Sequence, residues 1–457
     1  MNTGPRYRGF GRPKPAAEPA PVPGLAARLA AAQALAEALA NGRALDDFFA
    51  ASSIAPRLTG LEPRDRALAR SIATATLRRL GTLRKALGAR LERGWPKKAG
   101  EFEPLLITGA AQLLFMEVAD HAAVDLAIRA IKRDPRAAPF AGLANAVLRA
   151  VGREREAILA DADPLDDDAP PWLAARWRKT YGEATARAIA AAHRDEPPLD
   201  LSVKSDPQGW AQKLGGVALP TGSVRLIAHT PVTELDGFAD GQWWVQDAAA
   251  ALPARLLAAR PGERVADLCA APGGKTAQLA LAGASVTAVD RSAERLKRLA
   301  ENLARLGLTA DTAVADATQF EAAPFEAILV DAPCSATGTI RRHPDVAWVK
   351  RAGDLAGLTQ LQARLVDRAA RLLAPGGRLV YCVCSLEPEE GVEQIEALLR
   401  RNPDLTRAPI TPEEIGGLAE ALTAQGDLRS LPSHLRGETA RLSGLDGFYA
   451  ARLRRRG

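Results

Sequence analysis

From residue 264 onward, short apolar segments alternate with amphipathic helical segments, and this alternation constrains the fold more than any other feature of the chain. The helical segments carry leucines at helical spacing, as at Leu296, Leu299 and Leu303. Strands that alternate with helices form a parallel sheet covered by helices on both faces. Five strands are predicted, at residues 265–268, 285–289, 312–314, 327–330 and 378–383.

The N-terminal part of the chain has a different pattern. Residues 25–151 show helical periodicity and contain no segment in which apolar and polar residues alternate. We therefore predict an all-helical domain over residues 24–152. Residues 1–23 consist mostly of Pro, Arg, Gly and Ala, a composition that cannot bury enough apolar surface to fold, and they predict a disordered basic arm.

A boundary lies at residues 161–171, where five aspartates and three prolines exclude a continuous helix and indicate a linker. The chain then resumes helical periodicity, and short apolar runs follow at residues 199–203 and 224–227. We predict linker helices and a small α+β domain over residues 153–245, followed by an α/β domain over residues 246–457.

Composition limits the class of protein. The 457 residues are too many for a single compact domain, and 47% apolar with 25% charged residues is typical of a folded globular protein. No apolar run reaches the length of about 18 residues that a transmembrane helix needs, and the N-terminus lacks the apolar segment of a secretory signal. We expect a cytoplasmic monomer without membrane association.

Basic residues are concentrated near the N-terminus. Residues 1–150 hold 23 Lys and Arg against 13 Asp and Glu, whereas the remainder holds 37 against 41. Within residues 57–98, twelve basic residues face three acidic ones, the density of a phosphate-binding surface. The pattern favours contact with nucleic acid, and the alternative is a solvated arginine-rich surface.

The first strand of the C-terminal sheet leads into a glycine-containing loop, residues 267–276, with the sequence Asp-Leu-Cys-Ala-Ala-Pro-Gly-Gly-Lys-Thr. Adjacent glycines let a ligand approach the backbone, and the N-terminus of the next helix offers unpaired N–H donors. The second strand ends at Asp290, where a carboxylate can accept hydrogen bonds from ribose hydroxyls, and the third ends near Asp316. Because ligands of such sheets bind beyond the carboxyl ends of the strands, these residues predict a nucleoside site.

Two other interpretations fit these residues less well. Residues 274–276 match the end of a P-loop, and residues 327–331 resemble a Walker B strand, which would indicate an NTPase. A P-loop, however, needs glycine at the position that Cys269 occupies. Aspartates at strand ends can also cap helices, but capping accounts poorly for three of them at three successive strands.

All four cysteines lie in the C-terminal half of the chain. Cys334 follows the fourth predicted strand and Cys384 ends the fifth, so both should reach the edge of the sheet where the nucleoside would bind. We interpret Cys269 and Cys382 as small buried apolar residues, the commonest role of a cysteine in a strand. Zinc is the alternative for Cys382 and Cys384, but no paired C-x-x-C motif and no neighbouring histidine support it, and we predict no metal.

Two cysteines beside a nucleoside suit one reaction closely. The C5 carbon of cytosine is a poor nucleophile, but a thiolate that adds to C6 makes C5 able to attack a sulfonium methyl group. The first thiol must later leave as the C5 proton is lost, and a second cysteine can assist that step. A nearby positive charge, such as Lys275 or the sulfonium itself, should lower the pKa of the attacking thiol.

At these residues the chain resembles the NOL1/NOP2/Sun family of RNA cytosine-5 methyltransferases, and within it the bacterial Sun/Fmu type that modifies 16S ribosomal RNA. The resemblance covers roughly residues 25–454 and rests on residues 268–276, 331–335, 381–386 and 446–450. It implies an all-α NusB-like domain that binds RNA, a small RRM-like α+β insert and a Rossmann-like class I methyltransferase domain. It also implies 16S ribosomal RNA as partner, either naked or in an early small-subunit particle.

The resemblance assigns a role to each candidate site residue. S-adenosylmethionine would be the cofactor, with its ribose at Asp290 and its adenine near Asp316. The residues implied to bind it are Cys269, Ala270, Ala271, Pro272, Gly273, Gly274, Lys275, Asp290, Arg295, Asp316 and Asp331. The residues implied in catalysis are Cys384 as the nucleophile and Cys334 as the residue that assists release, with Asp331 and Lys275 beside them. Those implied to contact the RNA substrate are Pro333, Arg341 and His343, with Asp331 also facing the target cytosine.

The sequence departs from the family pattern at three positions. Ala336 stands where the family usually has glycine, and Val383 stands where threonine is usual. Cys382 is an additional thiol on the same strand face as Cys384, because side chains alternate along a strand. A non-catalytic RNA-binding assembly factor remains the alternative function, although the presence of both Cys334 and Cys384 argues against it.

Overall fold

The computed structural model describes residues 22–50, 53–227 and 230–457. The basic arm expected over residues 1–23 lies outside these residues except for its last two positions. Within the described parts of the chain, no helix is both long and apolar enough to cross a membrane.

The first domain is a bundle of helices built around one strongly apolar helix, α5. Ten of the eleven residues from Leu105 to Phe115 are buried, so α5 is apolar on every side and occupies the centre of the bundle. The helices are α1 Leu25–Asn41, α2 Leu45–Phe49, α3 Pro63–Arg78, α4 Leu80–Gly88, α5 Phe102–Phe115, α6 Asp120–Ile131 and α7 Ala141–Arg153. The predicted all-helical N-terminal architecture is confirmed.

Three further helices connect this bundle to the rest of the protein: α8 Arg155–Ala160, α9 Pro171–Tyr181 and α10 Glu183–Arg194. The predicted linker before α9 contains no helix, but it is firmly attached to its surroundings. Asp168 is buried and pairs with Arg79 (3.0 Å) and Arg194 (2.7 Å). The other aspartates of the linker pair with Lys85, Arg178 or Arg187. The aspartates of this non-helical segment thus join the first domain to α9 and α10 through ion pairs.

A small domain follows, with an antiparallel sheet in the strand order β2-β3-β1-β4. Its elements are β1 Leu199–Val203, α11 Pro207–Leu214, β2 Val217–Ala218, β3 Val224–Leu226 and β4 Trp243–Val245. On β1, the carboxylate of Asp200 binds the guanidinium of Arg225 on β3 through two hydrogen bonds of 2.7 Å, and both side chains are buried. The predicted α+β character is therefore present.

The C-terminal domain is a sheet with helices on both faces. Its helices are α12 Ala248–Leu257, α13 Gly274–Leu281, α14 Ala293–Arg305, α15 Val346–Val349, α16 Asp354–Leu372 and α17 Val392–Arg401. Its strands are β5 Arg264–Leu268, β6 Ser285–Asp290, β7 Asp311–Val314, β8 Phe325–Asp331, β9 Leu373–Val383, β10 Leu405–Arg407, β11 Leu428–Ser430 and β12 Phe448–Arg455. The strand order is β10-β12-β9-β8-β5-β6-β7, and β11 pairs with β12.

The sheet is mixed, whereas the sequence predicted a parallel one. Strands β5 to β9 are parallel, but β12 runs antiparallel between β9 and β10. The first four residues of β12, Phe448 to Ala451, are all buried, so this segment lacks the alternation that marks a strand in sequence. The five predicted strands all exist within a few residues of their predicted bounds, and the overall fold class is confirmed.

Candidate active site

The candidate site lies where the carboxyl ends of β6, β5, β8 and β9 meet at one edge of the sheet. A cavity of about 370 Å³ opens there, between the small sheet domain and the C-terminal domain. Its lining includes Trp244, Gln246, Asp247, Gly273, Gly274, Lys275, Asp331, Arg342, Cys384 and Phe448. The cavity therefore brings together residues that the sequence placed on the glycine loop and at two further strand ends, those of β8 and β9.

The glycine loop turns sharply between β5 and α13. Cys269 has a φ of 64° and Gly273 has a φ of 103°, both in the left-handed region. A Cβ atom at Gly273 would lie 2.7 Å from Leu299 Cγ, so the backbone approaches α14 too closely for any larger residue. α13 begins at Gly274, so its first N–H groups, which have no partner within the helix, directly follow the loop.

Asp290, at the end of β6, is buried and already holds the glycine loop. Its Oδ2 accepts a hydrogen bond from the N–H of Ala271 (3.2 Å), and its Oδ1 accepts one from the N–H of Ser292 (2.9 Å). Each carboxylate oxygen can accept a further hydrogen bond. Arg295 lies 3.5 Å from Asp290 Oδ2 and also donates to the carbonyl of Ala271.

Asp267, at the end of β5, was not among the predicted ligands. It is completely buried, and its Oδ2 accepts a hydrogen bond from Thr276 Oγ1 (2.6 Å). Its Oδ1 is also buried and has no hydrogen-bond partner among the described residues. Burial raises the pKa of Asp267 to about 7, although the hydrogen bond from Thr276 and the charge of Lys275 oppose the shift. A buried acceptor with a free lone pair beside a glycine loop fits a ligand that donates a hydrogen bond, such as an ammonium group.

Asp316 lies beyond β7, exposed to solvent. Its Oδ1 accepts hydrogen bonds from the N–H (2.8 Å) and the hydroxyl (2.7 Å) of Thr318, which lower the pKa of the carboxyl. Asp316 therefore stabilises the turn that follows β7.

Lys275 and Asp331 form an ion pair at the mouth of β8. Their Nζ and Oδ2 atoms are 2.7 Å apart, and Lys275 Nζ also lies 5.2 Å from the centre of the Phe448 ring. Burial alone would lower the pKa of Lys275, but the Asp331 carboxylate and the neighbouring cysteines outweigh burial and raise it. Lys275 therefore remains an ammonium group. The other oxygen of Asp331, Oδ1, lies 3.5 Å from Cys382 Sγ.

Cys334 and Cys384 face each other, with their Sγ atoms 3.5 Å apart. The hydrogen bond with Cys384, together with burial, raises the pKa of the Cys334 thiol well above its ordinary value. Burial likewise raises the pKa of Cys382, which is completely buried, and that of Cys269, to about 12. Among these thiols only Cys384 lines the cavity.

Two of the residues predicted to contact RNA lie outside the lining of the cavity. Arg341 is buried, and its guanidinium donates to the carbonyl of Ser443 (3.0 Å) and to Asp247 (3.4 Å), so it is committed within the protein. The neighbouring Arg342 lines the cavity instead and is held by Asp446. His343 contacts Asp46 of the first domain at 3.3 Å and is not part of the cavity lining. Pro333 is exposed beside Cys334.

Several side chains at the cavity come from parts of the chain distant from the predicted site residues and were not predicted. Phe448 and Asp446 come from the segment leading into β12, and Gln246 follows β4. Glu390, one turn after β9, is completely buried beneath the two facing cysteines. The Asp-Gly-Phe-Tyr-Ala motif was the available signal for Phe448 and Asp446, whereas no local pattern marks Gln246 or Glu390.

Most of the twelve basic residues at 57–98 make contacts within the protein. Arg57 pairs with Glu101 at 2.6 Å, and Arg78 donates to the carbonyl of Arg341 at 2.8 Å. Others pair with Asp46, Glu103, Glu154 or the aspartates of the linker. Within the part of the chain that the structure describes, four exposed basic residues of this region make no hydrogen bond or ion pair: Arg64, Arg93, Lys97 and Lys98. The charge available for phosphate contacts is thus smaller and more localised than the sequence suggested.

The described residues contain no group of three or more His, Cys, Asp or Glu side chains arranged to hold a metal ion.

Comparison with known proteins identifies the family. Residues 254–454 match the family model described as 16S rRNA methyltransferase RsmB/F, and residues 25–153 match the NusB family. The ribosomal RNA small subunit methyltransferase B of Vibrio cholerae is 37% identical over 412 residues, which cover 86% of this chain and 90% of the relative. The chain belongs to the RsmB/F family of 16S ribosomal RNA methyltransferases. The RsmB/F relative of Cronobacter sakazakii is 36% identical over 425 residues, covering 88% of this chain and 94% of its own.

Solved structures agree with this RsmB/F architecture. The crystal structure of PH0851 superposes with a TM-score of 0.69 at 23% identity, covering 95% of this chain and 99% of the other, which shows a common fold. A methyltransferase homolog from Pyrococcus horikoshii has a TM-score of 0.52 at 28% identity and covers 62% of this chain and 94% of its own. Membership of a methyltransferase family excludes the P-loop NTPase interpretation.

Proposed function

We propose that this methyltransferase transfers a methyl group from S-adenosylmethionine to C5 of a cytosine in 16S ribosomal RNA, through a covalent bond between Cys384 and C6 of the base. The observation that carries the proposal is the pair of thiols 3.5 Å apart, of which one lines a cavity beside an ammonium–carboxylate pair. The names of the relatives supply 16S ribosomal RNA as the substrate class.

The residues at the sheet edge fit the proposed cofactor. Gly273 and Gly274 line the cavity with backbone alone, and Asp290 retains acceptor capacity for two ribose hydroxyls. Asp267 Oδ1, buried without a partner among the described residues, suits the amino group of the methionine part. Arg295 and the loop residues 269–275 would complete this site, with Asp316 toward the adenine. When bound, S-adenosylmethionine supplies an electrophilic methyl group on its sulfonium sulfur.

Lys275, Asp331 and Arg342 would hold the cytosine in the cavity. The amino group at C4 of cytosine is a hydrogen-bond donor, and its ring nitrogen and carbonyl oxygen are acceptors. A carboxylate beside two cations matches that edge, since Asp331 can accept while Lys275 or Arg342 donates. The cavity is large enough for a base flipped out of an RNA stack, as chemistry on C5 requires.

The two thiols would then have unequal roles. The sulfur of Cys384 adds to C6, and the resulting enamine carbon C5 takes the methyl group. The Cys384–C6 bond breaks as the C5 proton is lost to solvent, which restores the aromatic ring. Cys334, whose raised pKa keeps it protonated, donates a hydrogen bond to the departing sulfur.

Transfer of labelled methyl groups tests the reaction. Purified protein is incubated with methyl-labelled S-adenosylmethionine and either deproteinised 16S ribosomal RNA or early small-subunit particles, and the RNA is digested to nucleosides. We expect the label in 5-methylcytosine. Label in another nucleoside would contradict the cytosine-C5 chemistry, and RNA binding without transfer to either substrate would favour the assembly-factor alternative.

A further inference from the structure

Glu390 connects the two cysteine-bearing loops from below. It is completely buried in a turn of 3₁₀ helix after β9. Its Oε1 accepts hydrogen bonds from the N–H of Ser335 (2.9 Å) and from Gln362 Nε2 (3.0 Å). Its Oε2 accepts hydrogen bonds from the hydroxyls of Ser335 and Ser385.

The two serines are the residues that directly follow the cysteines. Ser335 follows Cys334 on the loop after β8, and Ser385 follows Cys384 at the end of β9. Their hydroxyls also lie 3.1 Å from each other, and both serines are buried. One carboxylate therefore fixes the position of the backbone immediately after each thiol.

Two further elements hold Glu390, one through its carboxylate and one through its backbone carbonyl. Gln362, on α16, donates to the carbonyl of Pro333 (2.9 Å) as well as to Glu390, and the Tyr381 hydroxyl on β9 donates to the Glu390 carbonyl (2.7 Å). Among the described residues no Lys, Arg or His forms an ion pair with Glu390. Burying a carboxylate without a cation costs free energy unless hydrogen bonds replace its lost hydration. Hydrogen bonds from the residues beside the thiols do so here.

We propose that Glu390 is a positioning residue that holds Cys334 and Cys384 in register for release of the methylated base. Four hydrogen bonds to neutral donors set the distance between the two loops, and the 3.5 Å between the sulfurs follows from that distance. The hydrogen bond with Cys384 and burial raise the pKa of Cys334, and the negative charge of Glu390 raises it further. The inference deepens the proposed function and rests on it for the catalytic part.

The geometry can be tested without the reaction. Diamide takes two electrons and two protons from a pair of thiols and leaves a disulfide, so the rate of Cys334–Cys384 disulfide formation reports how closely the sulfurs approach. We expect Glu390→Ala to lower this rate at least about tenfold, since a displacement of about 1 Å already disturbs reactive geometries strongly. Glu390→Gln keeps the shape and can retain most of the hydrogen bonds, so it should stay within about threefold of the wild type.

Glu263→Gln serves as a matched control. Glu263 is also a buried glutamate, paired with Arg378 at 2.6 Å before the start of β5, away from the thiols. Glu263→Gln should lower thermal stability but leave both disulfide formation and methyl transfer by the folded protein unchanged. If Glu390→Ala does not fold, the double variant Ser335→Ala with Ser385→Ala removes the same ties to the two loops and takes its place.

The second readout is the reaction itself. With folded Glu390→Ala we expect at least about a tenfold lower kcat, an unchanged KM for S-adenosylmethionine and accumulation of a protein–RNA adduct, with rescue by Glu390→Gln. A wild-type rate of disulfide formation in folded Glu390→Ala would overturn the positioning role. The two proposals can also fail separately. If Glu390→Ala forms the disulfide slowly but the wild-type protein makes no 5-methylcytosine, Glu390 still positions the thiols and the proposed function is wrong.

Discussion

The Sγ atoms of Cys334 and Cys384 lie 3.5 Å apart although fifty positions separate the two residues in the chain. Strands β8 and β9 are adjacent and parallel, with Asp331 paired to Cys382, so each cysteine follows its strand end by a short step. Strand order thus brings both cysteines to the same edge of the sheet, where the hydrogen bonds of Glu390 tie the two loops together.

Replacement of the cysteines should separate their roles. We expect Cys384→Ser to lower methyl transfer at least about a thousandfold, because a hydroxyl is far less ionised than a thiol. Cys334→Ser should allow the adduct to form but slow its release, so protein and RNA should migrate together on a denaturing gel. Cys382→Ser should remain active, since its side chain is buried beside Asp331. A trapped adduct with Cys384→Ser instead of Cys334→Ser would reverse the assignment.

Binding of S-adenosylmethionine should depend on pH through Asp267. The pKa of this carboxyl is raised to about 7, and an ammonium ligand needs it ionised, so the affinity should be about tenfold lower at pH 6 than at pH 8. In the ligand-free protein the same shift should lower the free energy of unfolding as the pH rises from about 4 to about 7. Over this range the unfolded chain has already lost the Asp267 proton, whereas the folded protein still holds it. Calorimetry at both pH values measures the affinity. Asp267→Asn should remove the pH dependence, and its persistence there would exclude Asp267 as the titrating group.

Asp290→Ala should weaken S-adenosylmethionine binding by roughly 1.5–3 kcal/mol, the range for hydrogen bonds to charged groups. The control is Asp311→Ala, which should leave the affinity unchanged. Asp311 is exposed at the start of β7, at the end of that strand away from the candidate site. Calorimetry on both variants provides the comparison. Equal affinities of the two variants, or tight binding of magnesium-ATP by the wild type, would contradict the assigned site.

RNA affinity should depend on the exposed basic residues between α4 and α5. The triple variant Arg93→Ala, Lys97→Ala and Lys98→Ala should bind ribosomal RNA more weakly and reduce the slope of log affinity against log salt by about 2, near 0.7 for each lost phosphate contact. Arg129→Ala is the control, because Arg129 is paired with Asp125 at 2.7 Å. Filter binding at several salt concentrations measures the slope. A slope equal to that of the wild type would place the RNA contacts elsewhere.

Ala336→Gly should stabilise the protein. Ala336 has a φ of 60°, a left-handed conformation that costs an L-residue about 1 kcal/mol and that glycine adopts freely. We expect the free energy of unfolding, measured with urea, to rise by about 0.5 kcal/mol after the greater backbone entropy of glycine is taken into account. Ala363→Gly, in the middle of α16, should lower it by about 1 kcal/mol. A destabilised Ala336→Gly protein would show that the methyl group of Ala336 contributes packing that outweighs its strain.

Much of the sheet edge could be predicted because each strand end is marked locally in the sequence and the carboxyl ends of parallel strands meet at one edge of the sheet. The apolar runs that precede them placed Asp290, Asp331, Cys334 and Cys384 at strand ends, whereas the roles predicted for Asp331 and the two cysteines came from the family resemblance. The conformation at Ala336 also explains the usual family glycine there, since alanine has kept the left-handed turn.

Side-chain partners depend on tertiary contacts that no local pattern records. Arg341 and Arg342 are neighbours in sequence, yet one is buried against Asp247 and the other lines the cavity. The twelve basic residues at 57–98 likewise appear free in sequence, whereas acidic residues elsewhere in the chain pair with six of them. Glu390 could not be singled out because its role lies entirely in what it contacts.

The position of β12 sets when the site can be completed during synthesis. β9, which leads to Cys384, lies between β8 and β12 in the sheet, and β12 comprises residues Phe448–Arg455. A nascent chain must therefore release residues 448–455 from the ribosome before β9 acquires its second neighbour and Phe448 reaches Lys275. The helical N-terminal domain, whose contacts are mostly local, can fold well before that. A translating ribosome thus carries a folded N-terminal domain long before it carries a complete catalytic site.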